Sequence, residues 1–333
     1  MSDPAEQIVT EAEAGARLDR WIKRRSSVTQ GEIEKLLRTG QIRVDGSRVK
    51  ANLRLEAGQA VRLPPAMAKA AAAPPPPNRA AIKKSDADFI RALVIHDDKE
   101  MVVLNKPSGL AVQGGTGQGR HVDGLLDALA ANGHRPRLVH RLDKDTSGVL
   151  VLARTPAAAA RLGALFRGRS LQKVYWAVTV TVPNPRAGQV RSWMVKGTGP
   201  GELKEKMQSA RQGEPGARHA ITDYSVISQA AQRAAWVALK PETGRMHQLR
   251  FHMMELDTAI LGDRKYKTER EVPTGCAPGL HLHARALILP PGPATGLNRP
   301  LTLTAPLPPH MRQTFDTLGF LESEAGRDPL AVF

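Results

Sequence analysis

The chain carries one cysteine, Cys276, in 333 residues. No intrachain disulfide and no cysteine-based zinc site can form from it, and a lone thiol fits a reducing compartment. No run approaches about 18 consecutive apolar residues, so no membrane-spanning helix is expected. The opening Met1-Ser2-Asp3-Pro4-Ala5-Glu6 is acidic and lacks an apolar stretch, which argues against a secretory or transit signal. A cytoplasmic protein is the expectation. No internal repeat is visible. His247 and His252 lie five residues apart, which is no zinc-ligand spacing and puts them on different faces of a helix, so no metal is expected. Gly114-Gly115-Thr116-Gly117-Gln118-Gly119 lacks the lysine of a phosphate-cradling loop and reads as a mobile loop near a substrate.

Acidic residues are also in short supply. Lys and Arg number 48 against 32 Asp and Glu, a formal charge of +16. That surplus points to a polyanionic partner, with nucleic acid ahead of an acidic membrane.

What is present divides in two. Residues 66 to 77 read Ala-Met-Ala-Lys-Ala-Ala-Ala-Ala-Pro-Pro-Pro-Pro, a stretch that can continue neither helix nor sheet. It predicts a linker over 64–87 between a small domain, 1–63, and a large one, 88–325. In the small domain Leu18, Trp21 and Ile22 have helical spacing. A second helical pattern, from Gln30 to Arg38, stops near Gly40. Ile42-Arg43-Val44-Asp45-Gly46 then alternates like a strand closing on a turn. Between Arg17 and Arg62 there are 12 basic and 5 acidic residues. Arg17, Arg20, Lys23, Arg24, Arg25, Lys35 and Arg38 fall mainly on the two helices, where long cations can follow a phosphate backbone. The helix pair, the Arg-x-Gly-x-Ile-x-Val-Asp-Gly strand and the later Gly58-Gln59-Ala60-Val61 resemble the RNA-binding module named for the fourth small-subunit ribosomal protein. A small α/β RNA-binding domain is the expectation.

In the large domain Ala92–His96 and Met101–Asn105 read as paired strands. Further strands are expected at Leu171–Val182, Thr222–Ser228, Ala234–Leu239 and Leu280–Leu289, with helices over 155–169 and Gly244–Glu255. There is no regular βαβ repeat. The pattern predicts an α+β fold on a mixed, largely antiparallel central sheet.

The densest chemistry is His140-Arg141-Leu142-Asp143-Lys144-Asp145-Thr146-Ser147-Gly148, which runs into Val149-Leu150-Val151-Leu152-Ala153. The second part reads as a buried strand, and a charged cluster beside one is costly unless its charges are paired. An isolated Arg-x-Asp would be an ordinary solvated loop; the full string is more specific. Three other segments accompany it in order: Asn105-Lys106-Pro107-Ser108-Gly109-Leu110, Lys173-Val174-Tyr175-Trp176-Ala177, and Thr243-Gly244-Arg245-Met246-His247-Gln248-Leu249-Arg250-Phe251-His252. Together they resemble the motifs of the RluA family of RNA pseudouridine synthases and extend over nearly the whole large domain.

The resemblance implies a pseudouridine synthase fold and an isomerase that detaches the uracil of a uridine, turns it and rejoins it through carbon 5. It needs no cofactor. Asp143 takes the place of the family's catalytic carboxylate, Tyr175 that of the tyrosine over the base, and Arg245 that of the guanidinium paired with the carboxylate. Arg250 is a second choice for that partner. Arg141 takes the place of the arginine that contacts RNA as the base leaves the stack, a step stacked uridines require. His140 joins it as an RNA-side residue, with a structural role as the stronger reading. The layout implies large-subunit ribosomal RNA as partner and a monomer in no contact with membrane. Transfer RNA as substrate, or a non-catalytic ribosome-assembly protein on the same fold, are the alternatives. Thr258-Ala259 and Tyr266-Lys267 stand where the family often has His-Pro and Tyr-Gly, and imply altered loop packing away from Asp143.

Overall fold

Two blocks of apolar sequence on either side of the alanine- and proline-rich stretch give two units, Met1–Ala81 and Ile82–Phe333. The computed structural model describes residues 5–26, 28–68, 82–114, 119–131, 134–168, 170–197 and 206–333. Most of the expected linker, and residues 115–118 of the glycine-rich loop, lie outside the described residues.

The first unit contains strand β1 (Ala5–Ile8), helices α1 (Leu18–Lys23) and α2 (Gln30–Arg38), strands β2 (Arg43–Val44) and β3 (Ala60–Leu63), and a short helix α3 (Pro65–Ala68). The strands form an antiparallel sheet in the order β1-β3-β2. A capping box starts α2: Thr29 N–H donates to Glu32 Oε2 at 2.7 Å while Glu32 N–H reaches back to Thr29 Oγ1. Leu18, Trp21, Ile22, Ile33 and Leu37, the apolar positions of the two helical patterns, pack with Val44, Val61 and Leu63 of the sheet.

The second unit runs α4 (Lys84–Ala92), β4 (Val94–Asp97), β5 (Met101–Lys106), α5 (Val122–Leu125), β6 (Arg137–Leu138), β7 (Ser147–Ala153), α6 (Pro156–Arg167), β8 (Gln172–Val180), β9 (Ala187–Lys196), β10 (Met207–Ala210), β11 (Arg218–Ala230), β12 (Ala234–Pro241), α7 (Gln248–Glu255), β13 (Leu282–Leu289), β14 (Leu301–Thr304) and α8 (Pro309–Leu318). Its strands form one mixed sheet with the path β10-β9-β11-β12-β8-β13-β7-β5-β4, while β14 adds to β13 and β6 to β7. Among the described pairs, only β7 and β13 run parallel.

Strand β7 is buried at all seven positions because both faces are covered. Leu150 and Leu152 pack with Ile90, Leu104 and Leu126 on one side. Val149, Val151 and Ala153 pack with Ala158, Leu162 and Leu165 of α6 on the other. Farther along the sheet, Trp176, Val178 and Trp236 lie against Met311 and Phe315 of α8. Ala177, Val237 and Leu239 face the other way, toward Leu249 and Met253 of α7.

Three expectations need correction. The linker is shorter than 64–87, because α3 and α4 both begin inside it; Ile90 of α4 is fully buried in the core that includes Leu126 and Leu129. The large domain does not end at 325, because Leu330 and Val332 pack against the cluster around Trp236 and Phe315. Helix α7 starts at Gln248, four residues after Gly244, for reasons given below. Strands β9 and β10 were not expected at all. Half of β9 is exposed and only Met194 is buried, so no buried face imposes hydrophobic alternation on it.

Three buried imidazoles tie the second unit together. His252 bonds Thr222 Oγ1 through Nδ1 at 2.9 Å and Ser192 Oγ through Nε2 at 3.1 Å. His281 Nδ1 lies 2.9 Å from the Gly279 carbonyl and Nε2 2.8 Å from Thr314 Oγ1. His283 joins Ser147 Oγ to the Ala305 carbonyl. Burial pushes each down to about 4. In the unfolded chain they titrate at their ordinary value, so acid protonates the unfolded chain first. Stability from these groups is present above pH about 6.5 and is lost as pH falls toward 4. Each is worth on the order of 2 kcal/mol at pH 5. The urea midpoint of the second unit's transition is expected to drop between pH 7 and pH 5. His281→Gln should flatten that slope; an unchanged midpoint would remove the histidines as its cause.

Candidate active site

Asp143 stands on the loop entering β7, and its position is set by backbone contacts on both sides. Leu142 is buried with Leu104, Leu110 and Leu150, which anchors the loop from below. Gly148 has φ +109, and a Cβ there would overlap the backbone of Ala284 across the parallel β7–β13 pair, so only glycine fits. Ser147 Oγ is 2.8 Å from His283 Nδ1, while His283 Nε2 faces the Ala305 carbonyl at 3.1 Å. That carbonyl can only accept, so Nε2 carries the proton and Ser147 donates to Nδ1.

Lys106, at the end of β5, clamps the same loop. Its side chain is fully buried, and Nζ donates to the carbonyls of Pro107 at 3.0 Å, Leu110 at 2.8 Å and Lys144 at 2.9 Å. Three acceptors match the three donors of an ammonium. Burial pushes Lys106 down to about 7, against the raising effect of Asp145 and Asp143. Ser108 Oγ donates to the Asp145 carbonyl at 2.7 Å. The Asn105–Leu110 segment is thus a buttress for the Asp143 loop. A lysine between an apolar strand and a Pro-Ser-Gly turn was the signal for it.

The guanidinium nearest Asp143 is that of Arg250. Its Nη1 lies 3.9 Å from Asp143 Oδ2. Nε and Nη2 both donate to the buried carboxylate of Asp263 at 2.6 Å, a two-pronged pair that fixes the plane of the group. Burial opposes the charge on Arg250, yet the Asp263 bonds and the charges of Asp263 and Asp143 raise its pKa above the ordinary value. Asp263 Oδ1 also accepts the N–H groups of Lys265 and Tyr266.

Arg245 does not reach Asp143. It is exposed, and its Nε donates to the His219 carbonyl at 3.1 Å. The reason lies in Gln248. Its Oε1 accepts from Thr243 Oγ1 and from Arg245 N–H, while Nε2 donates to the Ile221 carbonyl and Thr222 Oγ1 on β11. These four bonds hold residues 243–247 as a loop against β11 and delay the helix to Gln248. Arg250 then falls in the first turn of α7 and is buried, whereas Arg245 stays on the rim.

Tyr175, on β8, faces the same cavity as Asp143. Its pKa is raised by burial and by the Asp143 charge, so the phenol stays protonated at neutral pH. Its hydroxyl has no hydrogen-bond partner among the described residues. Arg141 is exposed at the edge of the cavity. His140 is not a cation for RNA. Its Nε2 accepts the Val151 N–H at 2.8 Å and its ring stacks on Phe166 at 3.9 Å. Burial, reinforced by the Lys173 charge, pushes it down to about 3. The cavity that these groups surround has a volume of about 340 Å³, within the range of sites for small ligands.

In the first unit the seven expected RNA-side cations are not equivalent. Arg17 forks onto Asp19, at 3.1 and 2.6 Å, and Arg25 pairs with Glu13 and lies 3.8 Å over the Trp21 ring. Arg20, Lys23, Arg24, Lys35 and Arg38 are exposed. No group of three or more His, Cys, Asp or Glu side chains among the described residues could hold a metal. No helix among them is long and apolar enough to cross a membrane.

A broad mixed sheet with a carboxylate loop entering beside an arginine-bearing helix defines a class, the RNA pseudouridine synthases. The family profile described as RNA pseudouridylate synthase matches residues 100–255. The chain belongs to the RluA family of these enzymes, as its four motifs imply. It is 34% identical to the ribosomal large subunit pseudouridine synthase C of Rickettsia conorii, over 82% of this chain and 89% of that protein. It is 36% identical to the mitochondrial RNA pseudouridine synthase 4 of Arabidopsis thaliana, over 74% of this chain and 59% of the plant protein. Among solved structures, human RNA pseudouridylate synthase domain containing 4 superposes with a TM-score of 0.59 at 35% identity. That match covers 71% of this chain and 97% of the human one.

Removing Arg250 leaves the buried Asp263 carboxylate without its counter-charge. Arg250→Met is expected to lower unfolding free energy by about 3–5 kcal/mol, measured by urea titration. Arg245→Met should leave the midpoint near that of the parent protein. Equal effects of the two changes would contradict the assignment of Arg250 as the structural partner of both carboxylates.

Proposed function

We propose that this enzyme isomerises uridines of large-subunit ribosomal RNA, with Asp143 as the reacting carboxylate and the target nucleotide flipped into the cavity. The observation that carries the reading is the placement of Asp143: partly exposed to the cavity, 3.9 Å from a guanidinium that Asp263 fixes, on a loop clamped by Lys106. The ribosomal substrate is supported by the name of the Rickettsia conorii relative and by the basic first unit.

In this reading the Asp143 carboxylate attacks the C1′ carbon of the ribose as the bond to N1 breaks, and uracil departs as an anion. Asp143 must be ionised to attack, and the Arg250 guanidinium 3.9 Å away faces the oxygen Oδ2. The base turns within the cavity, and C5 then bonds to C1′ and expels the carboxylate. The C5 proton leaves and N1 takes one up, so the sum is an isomerisation. Tyr175 offers its ring face to the base. Its raised pKa keeps the hydroxyl protonated, so it takes the C5 proton as it gives its own to N1 of the turned base. A cavity of this size admits one extruded nucleotide but no stacked helix, so the base is flipped and Arg141 at the edge meets the strand it leaves.

Asp143→Asn keeps the shape of the side chain but cannot attack. Tritium release from uridine-labelled ribosomal RNA should vanish while RNA binding persists. Tyr175→Phe retains the ring and should bind RNA as the parent does, with a single-turnover rate lower by about two powers of ten. Near-normal turnover in Asp143→Asn would end the reading. Labelled transfer RNA run in parallel tests the substrate, since preferential turnover of it would reassign the target.

The first unit is proposed as an RNA-binding module of the ribosomal-protein type, with Arg20, Lys23, Arg24, Lys35 and Arg38 on phosphates. Replacing Arg20, Lys23 and Arg24 together by Gln should weaken RNA affinity. The log–log salt slope should fall by about 0.7 to 0.9 per lost contact. An unchanged slope would move the contact surface elsewhere.

A further inference from the structure

His247 has no part in the chemistry described above, yet it is the imidazole beside Asp143. Its Nε2 lies 3.8 Å from Asp143 Oδ2, and its Nδ1 lies 3.1 Å from the Tyr266 hydroxyl. The position of the ring proton follows from counting hydrogen-bond donors. The Tyr266 oxygen already accepts the Met207 backbone N–H at 2.7 Å. Tyr266 is buried, and its own proton has one described acceptor, His247 Nδ1. Donation there leaves the imidazole proton on Nε2, the nitrogen that faces Asp143. The opposite tautomer would set an Nε2 lone pair against a carboxylate and strand a buried hydroxyl proton.

The ring is neutral at pH 7. Burial is the first cause, and the charges of Arg250 and Lys265 add to it against those of Asp143 and Asp263. The backbone also points to a held geometry. His247 has φ 53 and ψ 18, a left-handed conformation that is costly for a non-glycine residue. The bonds of Gln248 to β11 hold the loop in place against that cost. His247 and Arg250 both make their nearest approach to Asp143 at the same oxygen, Oδ2.

We propose that His247 is a positioning residue for Asp143. As the neutral Nε2–H tautomer set by Tyr266, it holds Oδ2 and leaves Oδ1 to meet the nucleotide. This rests on the reading of Asp143 as the reacting carboxylate. At 3.8 Å the contact is an ion–dipole attraction, which a small movement of the carboxylate on RNA binding shortens to a hydrogen bond. The relay begins at Met207 on β10, an edge strand, and ends at the reacting group.

The test uses the full chain with ¹⁵N-labelled histidine. At pH 7 the His247 signals, assigned by their loss in His247→Gln, should show a protonated Nε2 and a bare Nδ1. In Tyr266→Phe that preference should weaken or reverse. His247→Ala should lower the single-turnover rate by about a hundredfold with RNA affinity unchanged. His247→Gln, which keeps an N–H donor, should recover part of the loss. A protonated Nδ1 in the parent protein, or a normal single-turnover rate in His247→Ala, would overturn the proposal. The tautomer is read without turnover, so a failure of Asp143 as the reacting group remains distinguishable from a failure of the relay.

Discussion

One buried guanidinium stands between two carboxylates, and the second unit is organised around that fact. Arg250 gives two donors to Asp263 and directs a third nitrogen at Asp143. A carboxylate as enclosed as Asp263 is tolerable only with such a partner, and the partner only with such a carboxylate. Asp143 is different: it meets the edge of the guanidinium at a distance and keeps its exposure to the cavity. The fork immobilises the cation, and the looser contact leaves the other carboxylate facing the cavity.

The surrounding bonds serve that separation. Gln248 decides where α7 starts, and the start of α7 decides which arginine is buried. Gly148 allows the two parallel strands close enough to bring the Asp143 loop to Tyr175 and Ala284. Lys106 anchors the loop from the β5 side. Asp143, Tyr175 and Arg250 come from three distant parts of the chain, the loop before β7, strand β8 and helix α7.

The Asp143 loop and its strand were legible in the sequence because charge, turn and apolar run coincide in a few residues. Tyr175 was legible for a related reason, as part of a motif on an alternating strand. The choice between Arg245 and Arg250 was not. Both fit a helix drawn from Gly244, and only the bonds from Gln248 to β11, residues distant in sequence, move the helix start. His140 was legible as important but not as uncharged, since its neutrality depends on the Val151 N–H and the Phe166 ring. Strands β9 and β10 escaped notice because an exposed strand has no apolar face to announce it. The short linker was hidden by composition: alanine and lysine next to proline conceal the start of α4.

The Lys106 clamp holds Lys144 and Asp145 by main-chain oxygens alone, with Ser108 on the second of them. Both side chains are exposed, although they sit one and two residues from Asp143. The hydrogen bonds that hold the loop therefore do not run through the side chains at 144 and 145, although the Asp145 charge supports the ammonium of Lys106. Side chains at 144 and 145 can change in bulk without removing a hydrogen bond that holds the Asp143 loop.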